Sequence, residues 1–349
     1  MSRLAEVFKL DPKGFNLARG LTIMGVLLVP LVVLGVIGKD KYWLSVSFGA
    51  LFVALSDPGG DYGIRLPRMA GVGLLGALLT ALGFAIGGGP WGWVLLAAFV
   101  VTLVGGLLLR FGLHRFVAAL LLNVWFLIAL SVPAGEHLNL SRSDWWGQAL
   151  AWLVGSALWI GITLVLWLAR GRKAHAGPLP EIPEGMEEIK LTRQIVLFTL
   201  IRALAVGFAV GIAFGLHLPN ADWMPVATLV AMKTTLQQTT LVAEQRLIGT
   251  FIGAAVATVF LLTLDNKHAL EVVIVLLGAF AASFRSVNNT IYCAAVAGAV
   301  LVGLDLPHPT NLTAEGDRVL FTLAGVGIAV VVMALAGLLN KRTAKAAAS

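Results

Sequence analysis

Twelve apolar runs divide the chain, and short stretches rich in Gly, Pro or charge separate them. A helix rises 1.5 Å per residue, so about 20 apolar residues cross a hydrocarbon core of about 30 Å. Continuous apolar runs indicate helices, whereas outer-membrane barrels show alternating strands. The predicted spans are 20–38, 42–56, 69–87, 91–109, 116–132, 146–169, 197–216, 223–232, 247–264, 270–284, 290–304 and 319–339.

The composition agrees with a membrane protein. Of 349 residues, 58% are apolar and 12% are charged, which is about half the charge of a soluble domain. The net charge of +7 follows the membrane topology, so no nucleic-acid partner is expected. The only cysteine, Cys293, lies in an apolar run and allows no disulfide within the chain. The six histidines show no ligand spacing, so neither a metal nor another cofactor is expected.

The basic residues predict the orientation. With the amino terminus inside, nineteen of the 25 Lys and Arg residues lie inside and five outside, and Arg202 lies near the start of a span. Short basic loops stay in the cytoplasm, so both termini are predicted to be cytoplasmic. The fold class is an all-α polytopic membrane protein with about 12 transmembrane helices, expected in the cytoplasmic (inner) membrane.

The two halves of the chain repeat each other. Trp43 and Trp223 open short spans 180 positions apart, and Arg68 and Arg246 precede glycine-containing spans 178 positions apart. Each half holds six spans, an even number, which predicts two parallel six-helix repeats. The predicted domains are a first membrane repeat over 1–169, a cytoplasmic linker over 170–196 and a second membrane repeat over 197–349.

Spans two and eight are too short to cross, and both lead into polar sequence. Short, interrupted segments at matching positions of two halves often mark a transporter's binding site. The polar run after span eight is either a helix facing a wet cavity or a plain cytoplasmic loop. The cavity alternative predicts substrate contacts from Lys233, Thr234, Thr235 and Gln238.

Arg68 and Arg246 are the predicted anion-binding residues, since a guanidinium pairs bidentately with a carboxylate and a helix start adds positive charge. In the alternative, each arginine reaches lipid phosphates, as we also expect for Arg202. Asp57 and Glu244 are nearby carboxylates and the predicted proton-coupling groups, with a salt bridge or helix cap as the alternative.

Four glycines are predicted to let membrane helices approach closely. They are Gly71, Gly76, Gly249 and Gly253. The carboxylate of Asp61 is expected to cap a helix.

The motif Trp223-Met-Pro-Val-Ala-Thr228, followed by Arg246-Leu-Ile-Gly-Thr-Phe-Ile-Gly253, resembles the hallmark of the fusaric acid resistance (FUSC) superfamily. That superfamily includes bacterial exporters of aromatic carboxylic acids and, more distantly, plant aluminium-activated malate transporters, which are anion channels. The resemblance is strongest over 197–264 and fainter over 17–87. Larger exporters carry a cytoplasmic domain after each half, so the resemblance implies a membrane-only version here.

The sequence therefore predicts an exporter of small organic anions driven by the proton gradient, and the resemblance implies aromatic carboxylic acids as substrates. An anion channel with the same basic lining is the first alternative. An intramembrane enzyme would need a nucleophile–base pair that the spans do not show, so no enzymatic activity is predicted. The third alternative is a scaffold protein, whose two halves only pack together in the membrane. The expected partners are the anion, membrane lipid, and a second copy of the chain or an accessory efflux subunit.

Overall fold

The computed structural model covers most of the chain. The residues that it describes are 7–57, 59–111, 113–134, 142–169, 171–172, 175–176, 192–218, 223–232, 236–264, 266–305 and 312–346.

The described residues contain twelve α-helices, and each overlaps one predicted apolar run. They are α1 (Leu17–Val36), α2 (Trp43–Ser56), α3 (Tyr62–Ile86), α4 (Trp91–Leu107), α5 (Leu113–Ser131), α6 (Trp145–Ala169), α7 (Arg193–Gly215), α8 (Trp223–Ala231), α9 (Leu236–Thr263), α10 (Lys267–Phe284), α11 (Asn289–Asp305) and α12 (Leu312–Ala346). Short 3-10 helices cover Pro12–Gly14, Asp40–Tyr42, Leu108–Phe111, Val132–Ala134 and Arg142–Asp144. Two short strands, β1 (Gly59–Gly60) and β2 (His175–Ala176), pair antiparallel.

Seven helical segments among the described residues are long and apolar enough to cross a membrane. They are Leu17–Val36, Tyr62–Ile86, Trp91–Phe111, Trp145–Ala169, Ile195–Gly215, Glu244–Thr263 and Leu320–Leu338. Helices α2 and α8 have only 14 and 9 residues, in agreement with the two short predicted spans. The protein is therefore a helical membrane protein. The crossing of all twelve helices and the cytoplasmic termini stay predictions.

Side-chain caps fix the starts of two helices. The carboxylate of Asp61 accepts a hydrogen bond from the backbone N–H of Gly63 at 3.1 Å, which confirms its predicted role before α3. The side chain of Asn266 accepts in the same way from the N–H of His268 at 2.9 Å, before α10. Each cap satisfies a backbone donor that has no partner inside the helix.

The chain divides into two compact units. The first unit is Thr22–Thr199, and the second unit combines Met1–Leu21 with Leu200–Ser349. Residues before α1 and in its first turn therefore belong with the second group of helices. The domain boundaries at 169 and 197 stay a prediction.

An aromatic core holds α2, α3, α5 and α6 together in the first unit. The rings of Trp125 and Trp152 have centroids 5.0 Å apart, and Phe48 stacks on Trp125 at 5.0 Å. The indole N–H of Trp125 donates to the hydroxyl of Thr80 on α3 at 2.8 Å. Because these side chains are large and fully or largely buried, they determine how the four helices pack.

A glycine in the last span permits a close helix crossing in each unit. In the first unit, a Cβ at Gly155 on α6 would overlap the carbonyl oxygen of Val46 on α2. In the second unit, a Cβ at Gly325 on α12 would overlap the carbonyl oxygen of Met224 on α8. The third span also packs against the fifth and sixth spans in both units. Corresponding helix pairs are thus in contact within each unit.

Candidate functional site

The Arg-x-x-Gly-x-x-x-Gly motif of α9 forms one face of that helix, because Arg246, Gly249 and Gly253 are three and four positions apart. A Cβ at Gly249 would meet the carbonyl oxygen of Thr290, and one at Gly253 would meet that of Ala294. The two glycines therefore bring the backbones of α9 and α11 together. Arg246 lies one turn before this contact, at the level where α11 begins.

Arg246 is held among polar groups at this junction. Its Nε is completely buried and has no hydrogen-bond partner among the described residues. The adjacent side chain of Gln245 accepts a hydrogen bond from the amide of Asn289, the first residue of α11, at 3.0 Å. Tyr292, one turn into α11, interacts electrostatically with both Arg246 and Arg285. A second arginine thus shares the surroundings of Arg246.

The segment before α1 packs against the turn between α10 and α11. The amide of Asn288 donates to the carbonyl oxygen of Val7 at 3.0 Å, and the hydroxyl of Thr290 donates to the same oxygen at 3.1 Å. The N–H of Asp11 donates to the carbonyl oxygen of Val287 at 2.9 Å. Val7 is 1% exposed, so this contact is part of the second unit's core and not a loose tail.

This segment leads into a third arginine at the same place. The guanidinium of Arg19 donates from Nη1 to the hydroxyl of Ser286 at 3.3 Å, and it repels Arg285 electrostatically. Arg19, Arg246 and Arg285 thus come from three separate segments of the second unit; Arg19 lies near Arg285, and Arg246 and Arg285 both act on Tyr292. The sequence analysis singled out Arg246 alone. Arg285 carried a signal, because it lies just before the polar pair Asn288–Asn289 at the start of span eleven.

Among the described residues of the first unit, the buried arginine is Arg65, three residues before the predicted Arg68. Arg65 shares the buried face of α3 with Met69, Gly73 and Gly76, at helical spacing. Arg68 lies on another face and is exposed. Its role in holding a substrate carboxylate stays a prediction. The four-residue spacing from Arg65 to Met69 and on to Gly73 was the signal that could have identified the buried arginine.

Arg65 forms a buried, bidentate ion pair with Asp57. Its Nε donates to Oδ1 of Asp57 at 2.9 Å and its Nη2 donates to Oδ2, and the two side chains are 4% and 3% exposed. The Arg65 guanidinium also lies 5.7 Å from the ring centre of Tyr62. Tyr62 stacks on Trp167 and donates from its hydroxyl to the carbonyl oxygen of Ile160 at 2.9 Å. The pair therefore joins the end of α2 to the start of α3, and α6 supports it.

The other predicted site residues are only partly described. Lys233, Thr234 and Thr235 lie outside the described residues. Gln238 lies in the first turn of α9, where the structure gives the backbone but no side-chain environment. The part of the polar run from 236 to 240 is therefore helix and not loop. Glu244 is half-buried and engaged in an interaction within the structure. Their substrate and proton-coupling roles stay predictions.

The structure corrects the expectation for Arg202. This side chain is 4% exposed and donates from Nη2 to the carbonyl oxygen of Leu229 at 2.9 Å, so it does not reach toward headgroups. Helix α8 ends two residues later, at Ala231, and its last carbonyl groups lack partners within the helix. Arg202 is therefore buried because α8 ends early and leaves carbonyl groups that accept a hydrogen bond from its guanidinium.

Three of the four glycine predictions are confirmed. Gly249 and Gly253 contact α11, and a Cβ at Gly76 would overlap the indole ring of Trp152. The prediction for Gly71 is wrong, because a Cβ there would meet nothing within 4 Å. Gly71 is one turn from Arg68 on the same outer face of α3, which explains its open surroundings.

A comparison with known proteins finds a family match in the second half of the chain. A family model described as fusaric acid resistance protein-like matches residues 206–332. The matched segment runs from α7 into α12 and contains Arg246, Arg285 and the glycines of α9. No curated protein and no solved structure matches the chain. The resemblance predicted from the motifs is therefore confirmed: residues 206–332 are similar to the fusaric acid resistance protein-like family.

Proposed function

We propose that this protein transports small organic anions across the cytoplasmic membrane and exports aromatic carboxylic acids at the expense of the proton gradient. The match of residues 206–332 to the fusaric acid resistance protein-like family and the apolar helices support a transporter over an enzyme. The name of the family supports an aromatic carboxylic acid, the chemical class of fusaric acid.

The observation that carries the proposal is the buried Nε of Arg246, which has no hydrogen-bond partner among the described residues. Buried polar groups in proteins are nearly always hydrogen-bonded, and a buried arginine in a membrane protein commonly marks a ligand pathway. A carboxylate would satisfy this donor with a charge-assisted hydrogen bond. Arg246 also lies inside the matched family segment.

The predicted substrate residues have definite roles in this proposal. Arg246 and Arg68 hold the carboxylate, and Lys233, Thr234, Thr235 and Gln238 contact the remainder of the substrate. Asp57 or Glu244 carries the coupling proton. The ion pair gives Asp57 a specific mechanism, because protonation of its carboxylate would weaken the bidentate contact with Arg65 and release the connection between α2 and α3.

Transport is tested with purified protein in liposomes. Uptake of radiolabelled benzoate and fusaric acid is measured with an imposed pH gradient, for the wild type and for Arg246→Ala and Arg68→Ala. Arg110→Ala is the matched control, because Arg110 is exposed and lies on the same predicted side of the membrane. Loss of one charge-assisted contact predicts a decrease of roughly tenfold or more at low substrate concentration.

Each outcome bears on the proposal. Uptake by the wild type no faster than by empty liposomes overturns the transport function. Normal uptake by Arg246→Ala removes that residue from the mechanism. Uptake that follows the membrane potential but ignores the pH gradient replaces the proton-driven exporter with the anion channel.

A further inference from the structure

We propose that the segment before α1, residues 7–16, is a binding surface for anionic phospholipid. Lys9 and Lys13 contact the lipid phosphates, and the apolar side chains of Phe8 and Leu10 insert among the upper acyl chains. The surface lies within the second unit. Lipid binding here does not depend on which anion the protein transports, so it goes beyond the proposed transport function.

Hydrogen bonds at both ends hold this segment against the turn between α10 and α11. The side-chain amide of Asn288 donates to the carbonyl oxygens of Val7 and Lys9, each at 3.0 Å. The backbone N–H of Asn16 donates to the carbonyl oxygen of Ser283 at 3.1 Å. The segment is therefore ordered before any ligand arrives, and binding costs little conformational entropy.

The exposed side of the segment carries large apolar side chains. Val7 is 1% exposed, whereas Phe8 and Leu10 are 51% and 57% exposed. Leu17, where α1 begins, is also 57% exposed. Large apolar side chains that follow one another closely and remain exposed mark a surface that contacts a membrane or a partner.

The position of α1 places this surface at the boundary of the membrane. Leu17–Val36 is one of the segments that are long and apolar enough to cross. Residues 7–16 come directly before it and are hydrogen-bonded to the turn between α10 and α11, which are two further apolar helices. A segment beside the ends of three apolar helices lies at headgroup level, where apolar side chains reach the acyl chains and lysines reach the phosphates.

The charges of the exposed side favour an anionic ligand. Lys9 and Lys13 are exposed. The carboxylate of Asp11, which lies between them in the chain, accepts a hydrogen bond from the backbone N–H of Lys13 at 3.2 Å and caps the short helix Pro12–Gly14. Each basic side chain near an anionic lipid surface strengthens binding about fivefold. Lysine is depleted in protein–protein interfaces, so its mixture with exposed apolar side chains fits lipid better than a second copy of the chain.

Lipid contact is measured at the segment itself, with the full chain in phosphatidylcholine nanodiscs and without any transport substrate. Leu10→Cys carries an NBD fluorophore, in a background where Cys293→Ala removes the only natural cysteine. The nanodiscs receive either phosphatidylglycerol or phosphatidylcholine with a spin label on the acyl chain near the headgroup. We expect both lipids to quench the fluorophore, and phosphatidylglycerol to do so at a concentration at least about fivefold lower.

Charge variants test the role of the two lysines. Lys9→Gln and Lys13→Gln should each weaken the preference for phosphatidylglycerol, and the double Gln variant should abolish it. The double variant Lys9→Arg/Lys13→Arg keeps both charges and should retain the preference, which guards against a general disturbance of the segment. Arg110→Gln is the matched control, because it removes one exposed positive charge outside the segment, on the same predicted side of the membrane, and should behave as the wild type does.

Three outcomes overturn the proposal. Quenching by neither lipid would show that the segment does not contact the membrane, and self-quenching between labelled copies would then identify a second copy of the chain as the occupant. Equal quenching by the two lipids would show that the surface does not select anionic lipid. A preference that survives in the double Gln variant would show that the lysines do not hold the lipid. Each of these results leaves the proposed transport function intact, and a failed transport assay leaves this surface intact.

Discussion

The buried pair Asp57–Arg65 gives the most demanding stability test of the structure. The substitution Asp57→Asn removes the charge that balances Arg65 and leaves the guanidinium in a place that is 4% exposed. Breaking a buried ion pair on one side typically costs about 3–5 kcal/mol, because the remaining charge is buried without a partner. For a unit of this size, each kcal/mol moves the unfolding midpoint by about 2–4 °C, so a decrease of roughly 6–20 °C is expected.

The double variant Asp57→Leu/Arg65→Met tests the reason for that loss. Removing both charges avoids the unpaired cation, so the double variant should lie closer to the wild type than Asp57→Leu alone, with a coupling free energy of about 2 kcal/mol. The measurement is thermal unfolding in detergent, followed by intrinsic tryptophan fluorescence. The matched control is Asp144→Asn, which breaks the more exposed pair with Lys41 and should produce no measurable shift.

The outcome that refutes the reasoning is specific. Single variants that unfold within experimental error of the wild type would show that the pair is not buried in the folded protein. If the double variant loses as much stability as the two single variants together, Asp57 and Arg65 do not interact.

Two further predictions concern helix crossings and a surface lysine. Gly155→Ala and Gly325→Ala should abolish the monodisperse peak in size-exclusion chromatography, because each added Cβ would overlap a facing carbonyl oxygen. The controls Gly161→Ala and Gly327→Ala lie on the same helices in open surroundings and should elute normally. Equal elution profiles of all four variants would contradict the close crossings. The hydrogen bond that the Lys41 ammonium donates to the Asp144 carboxylate raises the pKa of Lys41 above its ordinary value of 10.5, so the pair is present at neutral pH and is lost only as the pH rises through the raised pKa. Asp144→Asn should move the pH profile of Lys41 acetylation, measured by mass spectrometry with Lys39 as the internal reference, to lower pH; an unchanged profile would contradict the bond.

Much of the fold could be predicted because long apolar runs have few alternatives in lipid. Each predicted run overlaps a described helix, and spans two and eight, predicted to be too short to cross, are the short helices α2 and α8. The Arg-x-x-Gly-x-x-x-Gly spacing also predicted the close contact at Gly249 and Gly253. These features depend on backbone hydrogen bonding and on residue size along one helix, which are local properties that a sequence carries directly.

The sequence by itself determined the membrane class, the helices and the presence of arginines at the starts of spans. Only the tertiary structure decided that Arg65, and not Arg68, faces the interior of the first unit, where Asp57 is its partner. It also decided that Arg246 and Arg285 both lie near Tyr292, and that the segment before α1 brings Arg19 to Ser286, next to Arg285. The physical reason is that periodicity defines the faces of a helix, whereas the neighbour that covers each face comes from elsewhere in the chain and is selected by packing.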